Sequence, residues 1–378
     1  MHSVNVSVPS SEGLSMAGTI DFPDDKPIAW AMFAHCFTGS RHTPAASRVC
    51  RELTNFGIAS LRFDFPGLGQ SEGDFGSTSF SSNVEDIKAA HRWMSENYGT
   101  PQLLIGHSLG GAASLRAATE LKALSAVATI GAPFDPAHAV LHFADRIKEV
   151  DDEGSVTVVL GGRDIVISRE FLEDLAEVSV ESYLPRLRKP LLLLHSPTDQ
   201  TVGIDNAQNI FRITRYPKSL VSLDRADHLC TRQGSAQRAA QLIGSWVAPY
   251  LKPEYQPEPL EAGAVATSAT GTKFADVVRT RHGNLLTDRS KSDGGKNLGH
   301  SVSDLVAGAL AAHGSQAIRA LARKKKIRLD AVSVRVHPRE DGGFERSIEI
   351  SGDIDEATRR ELIASIPEME LSVDDRHA

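Results

Sequence analysis

One serine enclosed by glycines carries the first chemical signal in this chain. Gly106-His107-Ser108-Leu109-Gly110 follows the apolar run "QLLI" and precedes the helix-like "GAASLRAATELKAL". This is G-x-S-x-G on a strand-to-helix corner, where small flanking residues let the turn close and force the serine outward. A serine hydroxyl is a weak nucleophile without a base, and the base needs a third group to orient it. Chain order supplies both. "PLLLLHSPTDQTV" puts Asp199 just after an apolar strand, and "SLVSLDRADHLCT" puts His228 just after the next one. Nucleophile, acid and base in that order, each past a strand end, would share one edge of a sheet. Ser108 is read as nucleophile, His228 as general base and Asp199 as the orienting acid. Asp164, Asp224 and Asp227 compete for the acid role. Asp224 and Asp227 lie in the His228 loop and are read as capping or orienting it.

Acyl transfer also needs an oxyanion hole of two N–H donors. The backbone N–H of Leu109, at a helix N-terminus, is one. The loop after "AWAMFAH", reading His35-Cys36-Phe37-Thr38-Gly39, supplies the other, assigned to Phe37. His35, His107 and His195 are read as loop-ordering residues without proton-transfer roles. The Gly-rich "RFDFPGLGQSEG" (62–73) lacks the G-x-x-x-x-G-K-[ST] pattern and opens no helix, so it is read as a tight turn and not a phosphate cradle.

The elements that must position these residues alternate between strand and helix. "IAWAMFAH", "ASLRFDF", "QLLIGH", "AVATIGA", "PLLLLHS" and "SLVSL" are short apolar runs suited to strands covered on both faces. Helical patterns separate them, one closing at Gly57 and another running from serine caps to Gly99. The expected fold is α/β, with a mainly parallel sheet, helices on both faces and an antiparallel N-terminal edge pair. The insertion at about 133–186 holds a hairpin turning at Gly161-Gly162 and the helix "REFLEDLAEV", and is read as a small lid. Its apolar residues give a partly apolar pocket, assigned to Phe134, Leu141 and Phe143 together with His35, Cys36 and His107. Residues 251–272 carry no clear period and are rich in Pro, Ala, Thr and Glu, which reads as a linker between domains at 1–250 and 273–378.

Bulk properties narrow the function classes. A net charge of −7 gives no global basic field to attract nucleic acid. The basic run "RKKKIR" (323–328) has no interleaved aromatics and is read as a solvated helix end. No apolar run is long enough to span a membrane, for which about 20 residues are needed. The N-terminus shows no basic region followed by an apolar core, so no signal peptide is expected. Cys36, Cys50 and Cys230 are too few and scattered for a disulfide framework or a zinc site. A cytoplasmic protein without metal or cofactor is expected.

With these motifs in place, the first domain resembles the α/β-hydrolase superfamily. The set "HCFTGS", "RFDFPGLGQSEGDF", "GHSLGGAA", "HSPTDQTVGIDNA" and "ADHL" is similar to the fused α/β-hydrolase/OsmC family proteins. Cys36 stands where the wider superfamily has glycine in its oxyanion loop. The second domain, with the long helix pattern at 300–327, the alternating "DAVSVRVHP" and "RSIEISGDI", and "DEATRRELIASIP", is similar to the OsmC/Ohr fold. That resemblance implies an α+β domain that dimerises the chain. Its peroxide chemistry uses two cysteines, and this chain has none from 273 onward. His313 aligns with the first, and "IASIP" covers the second without a thiol. His313 is read as a packing or interface residue, and peroxidase activity is expected to be absent.

The expectation is therefore a serine carboxylesterase acting on small or aromatic acyl esters through an acyl-enzyme on Ser108. The C-terminal domain would dimerise the chain or shape the pocket. Thioesterase, lactonase, peptidase or C–C hydrolase activity would use the same triad, and a non-catalytic small-molecule binding protein is the alternative of another class.

Overall fold

The computed structural model describes residues 1–36, 39–137, 154–160, 163–253, 260–269, 272–339 and 342–368, and the side chains of 158–160 and 163–165 fall outside that description. The chain divides into two compact units, Met1–Glu258 and Pro259–Ala378.

The first unit is built on one eight-stranded sheet in the order β1-β2-β4-β3-β5-β6-β9-β10. β1 (His2–Pro9) and β2 (Ser15–Phe22) form the antiparallel edge pair. β4 (Ile58–Phe63), β3 (Ala29–Ala34), β5 (Pro101–His107), β6 (Ala126–Ile130), β9 (Leu191–His195) and β10 (Lys218–Ser222) then run parallel. The unbroken apolar runs have a simple cause. Successive side chains of a strand point to opposite faces, and both faces are covered here. Met32, Leu61, Leu104, Leu191 and Leu193 pack on one side with α2 (Phe80–Asn97) and α3 (Leu109–Ala118). Phe33, Leu103, Ile105, Leu192 and Leu194 pack on the other with α1 (Pro44–Leu53) and the helix Ser235–Val247. Each such fully buried Leu or Phe contributes on the order of 2–3 kcal/mol by leaving water.

Helix ends follow local rules. Ser79 caps α2 with a reciprocal Ser79–Ser82 box. The segment after α1 tightens to a 3-10 turn and stops at Gly57, whose φ of 71° is left-handed. Within the 133–186 insertion, β7 (Ser155–Leu160) and β8 (Arg163–Ser168) pair antiparallel as a separate hairpin. Its turn residues 161–162 lie outside the described residues. The helix Arg169–Ala176 follows, capped by Ser168 and burying Phe171 and Leu175. It joins α2 through Ser81, whose N–H and hydroxyl both reach the Asp174 carboxylate.

The second unit has a three-stranded antiparallel sheet of β11 (Ala264–Ser268), β12 (Asp276–Thr280) and β13 (Gly283–Thr287). The 23-residue helix Val302–Lys324 starts from a Ser301–Asp304 capping box. The hairpin β14 (Ala331–Pro338) and β15 (Phe344–Ser351) and the helix Glu356–Ala364 complete it. Its buried core is small, formed around Ile318, Ala322, Ile350, Leu362 and Ile366.

One expectation is corrected. The linker assigned to 251–272 contains strand β11, and the units part near residue 258. All five β11 residues are exposed, so backbone pairing with β12 holds the strand and no buried face imprints a period on its sequence.

Candidate active site

Ser108 sits on a strained corner. Its φ of 55° and ψ of −128° are unusual for a residue with a side chain. Its N–H donates to Ile130 O (2.9 Å), fixing the elbow to β6. Sterics explain the surrounding glycines. A Cβ at Gly106 would come within 2.5 Å of Gly110 O, one at Gly110 within 2.1 Å of His35 O, and one at Gly111 within 2.7 Å of the Ala132 Cβ. β5 therefore enters α3 through a corner that only glycine permits.

The three residues read from chain order meet above this corner. His228 Nε2 lies 2.9 Å from Ser108 Oγ, and His228 Nδ1 lies 2.7 Å from Asp199 Oδ2. The other carboxylate oxygen of Asp199 accepts N–H bonds from Thr201 (2.9 Å) and Val202 (3.0 Å). Burial opposes ionisation of Asp199, but the bond from His228 and these two N–H donors hold its carboxyl below the usual carboxylate range. Asp199 thus accepts from Nδ1–H and leaves Nε2 free to take the serine proton.

The competing acids serve elsewhere. The Asp227 carboxylate accepts from Thr231 N–H (3.0 Å) and Arg232 N–H (2.9 Å), ordering the loop that bears His228. Asp224 is exposed and pairs with Arg238 at 3.3 Å. The side chain of Asp164 lies outside the described residues.

Leu109 is the first residue of α3, so its N–H is one of those without an intrahelical acceptor. Phe37 lies outside the described residues, as do Leu141 and Phe143. Its neighbour Cys36 is buried, and Cys36 O accepts from Gly39 N–H (2.9 Å) and lies 2.8 Å from His35 Nδ1. His35 Nε2 accepts from Phe65 N–H (3.3 Å), so His35 is neutral, with its proton on Nδ1. Burial lowers its pKa, against the Cys36 bond and the charge of Asp64.

His107 Nε2 is 2.7 Å from His228 O, and His195 Nε2 is 2.7 Å from Val202 O. Burial, then the nearby His228, pushes the His107 pKa down to about 4. The thiols are inert by the same physics: burial raises Cys36 to about 11 and Cys230 to about 12.

Of the residues assigned to the pocket, His35 and Cys36 line a narrow cavity with Leu109, Phe65, Leu68, Phe75 and Asn83. Phe134 and His107 are not on its wall. Phe134 packs at the edge of the core, and its N–H donates to Asn206 Oδ1 (2.9 Å).

Sequence reasoning passed over Arg41, Asp64 and Gly131. The buried Asp64 accepts from Arg41 N–H (2.5 Å), pairs with the Arg41 guanidinium and accepts from Gln70 N–H (3.0 Å). It thereby ties the loop after β3 to the Gly-rich loop after β4. Gly67 and Gly69 have φ of 72° and 59°, and a Cβ at Gly69 would strike Asp64 Oδ2 at 2.2 Å. The N–H of Gly67 bonds Glu72 O and that of Leu68 bonds Phe65 O, as a closed turn requires and a phosphate cradle would not. The signal was present: Arg62 and Asp64 interrupt a buried apolar run and therefore need partners. Gly131, at φ 56°, lies under Asp199 and His228, its Cβ position 3.4 Å from both Asp199 Oδ2 and His228 Nδ1.

Among the described residues, no group of three or more His, Cys, Asp or Glu is placed to hold a metal, and no helix is long and apolar enough to cross a membrane.

Comparison with known proteins agrees with this fold. The family described as serine aminopeptidase, S33, matches residues 26–151. The esterase domain of a Rhodothermus marinus protein is 43% identical over 66% of this chain and 99% of its own length, with a TM-score of 0.54. A Butyrivibrio proteoclasticus protein solved with ferulic acid bound is 18% identical over 65% of this chain and 98% of its own (TM-score 0.54). The mouse α/β-hydrolase domain-containing protein 10 is 19% identical over 65% and 99% (TM-score 0.55). These last two share the fold alone. No curated protein matches the chain. The chain belongs to the α/β-hydrolase family. It is a serine hydrolase of the esterase type.

Proposed function

We propose that the chain is a carboxylesterase whose triad is Ser108, His228 and Asp199, with Leu109 and Phe37 N–H groups as the oxyanion hole. The observation that carries this reading is the unbroken hydrogen-bonded chain from Ser108 Oγ through both ring nitrogens of His228 to Asp199. Ser108 Oγ attacks the ester carbonyl carbon while His228 Nε2 takes the hydroxyl proton. The tetrahedral oxyanion is held by the backbone N–H groups of Leu109, at the helix start, and of Phe37. Its collapse breaks the C–O bond, and the imidazolium gives its proton to the departing alkoxide. Water then attacks the acyl-enzyme, passing a proton to Nε2. The second collapse releases the carboxylic acid and returns the proton to Ser108.

Small or aromatic acyl groups are the substrates assigned, and the apolar Phe65, Leu68 and Phe75 beside Leu109 support this. The match to a family described as serine aminopeptidase favours the amide bond as a second substrate class for the same machinery. The C-terminal unit is assigned an OsmC-like fold that dimerises the chain. Its small core and the exposure of Val302 (71%), Leu298 (42%) and Val265 (41%) support that role. The three unpaired cysteines fit a reducing compartment, taken to be the cytoplasm.

The test is hydrolysis of p-nitrophenyl esters of increasing acyl length beside Ser108→Ala. Activity confined to the serine enzyme supports the triad. Undiminished turnover in a folded Ser108→Ala protein refutes it. A monomer in sedimentation at micromolar concentration would refute the dimer.

A further inference from the structure

We propose that His107 is a positioning residue for the base, holding His228 by that residue's own backbone carbonyl. The proposal rests on the triad reading above. His107 ends β5, next to Ser108, and its ring is wholly buried. Its Nε2 is 2.7 Å from His228 O, and the two rings lie 5.3 Å apart, tilted by 38°. A carbonyl only accepts, so the proton of His107 is on Nε2. Nδ1 is then a bare acceptor, and it is buried without a partner. A second proton there would have nothing to bond, which agrees with the low pKa of the ring.

The geometry explains why this bond matters. His228 stands six residues beyond β10, in a loop with its own anchors: Ala226 N–H to Leu223 O (3.0 Å), Cys230 N–H to Asp227 O (2.9 Å) and the Asp227 carboxylate bonds to Thr231 and Arg232. Those bonds fix the loop on either side of His228. The bond from His107 acts on the peptide of His228 itself, and it comes from the residue adjacent to the nucleophile. Nucleophile and base are thus located from the same strand end. The same device recurs one loop away, where His195, at the end of β9, donates to Val202 O in the loop bearing Asp199.

The experiment uses the full chain with p-nitrophenyl acetate as substrate and a fluorophosphonate probe as an independent report of serine reactivity. Gln can place an N–H where Nε2 stands, Asn is too short to reach, and Phe keeps the ring without the donor. Expected is a kcat loss of about tenfold to hundredfold for His107→Phe and His107→Asn, the range for leaving one buried acceptor unsatisfied, with KM within about twofold. His107→Gln recovers most of the loss, and probe labelling follows the same order. The inference is overturned if His107→Asn keeps the kcat of wild type, or if Gln and Asn variants lose activity equally. The Asn–Gln pair decides the matter even where Phe fails to fold. Undiminished turnover in Ser108→Ala would overturn the triad reading instead.

Discussion

Replacing Gly110 by alanine tests whether hard contact sets the spacing between elbow and oxyanion loop. The new Cβ would stand 2.1 Å from His35 O, 2.7 Å from Ala34 O and 2.9 Å from His35 C. Non-bonded heavy atoms settle at about 3.5 Å, so the start of α3 and the end of β3 must part by roughly 1 Å. The atoms in the way belong to the backbone and cannot rotate aside. Overpacking of this kind costs about 1–3 kcal/mol, which for a unit of this size lowers Tm by about 2–12 °C. The catalytic loss is larger, because a displacement of ~1 Å between reacting groups costs about 100-fold in rate. Gly203→Ala is the control. Its Cβ would stand as close as 2.4 Å to another atom, but that atom is Asp205 Oδ1, the free end of a side chain, and the Gly203 φ of −62° suits alanine. The assay pairs kcat on p-nitrophenyl acetate with calorimetric Tm for both variants. Gly110→Ala should be crippled, and Gly203→Ala should match wild type within about 2 °C and twofold in kcat. Wild-type kcat and Tm in Gly110→Ala would refute the steric reasoning.

Further outcomes are expected. Asp199→Asn leaves His228 without the carboxylate that selects its tautomer, so kcat on p-nitrophenyl acetate falls by about 10⁴ while the far-UV spectrum is unchanged. His35, His107 and His195 have folded pKa values below the ordinary 6.5, so on acidification the unfolded chain takes protons first. Stability therefore declines as pH falls below 6.5, reaching on the order of 3 kcal/mol for His107 by its folded value of about 4. In denaturant titrations His107→Gln should show a shallower slope in that window, and an identical slope would count against it. The depressed Asp199 contributes stability at pH above 3.8 and loses it only below that, beneath the window in which His107 titrates. The buried thiols should resist a disulfide reagent at pH 8 in the native protein and react as three per chain in denaturant; rapid native labelling would contradict their burial.

The parts of the site legible in the sequence were those with a positional rule. Ser108 and Asp199 each follow a wholly buried strand and His228 follows the half-buried β10, and a run such as "LLLLH" leaves little choice about where the strand ends. What the sequence hid is pairing. Nothing in "GHS" says that His107 donates to a carbonyl 121 residues away, because a ring nitrogen's partner depends on which loop folds over it. Arg41 and Asp64 were hidden for the same reason, although two charges in the run "SLRFDF" gave notice that partners were required. Strand β11 escaped because all its side chains are exposed, so no burial period marks it.

The placement of β5, β9 and β10 also bears on how the protein comes into being. On the proposed triad, the nucleophile is made when residue 108 is synthesised, but acid and base wait for residues 199 and 228, and β6 must be seated between β5 and β9 before the three can meet. A nascent chain carrying only the first 150 residues holds the serine with neither partner. Contacts of such long sequence separation form late. Esterase activity on a ribosome-bound chain would therefore switch on only after the last strand of the sheet has left the exit tunnel.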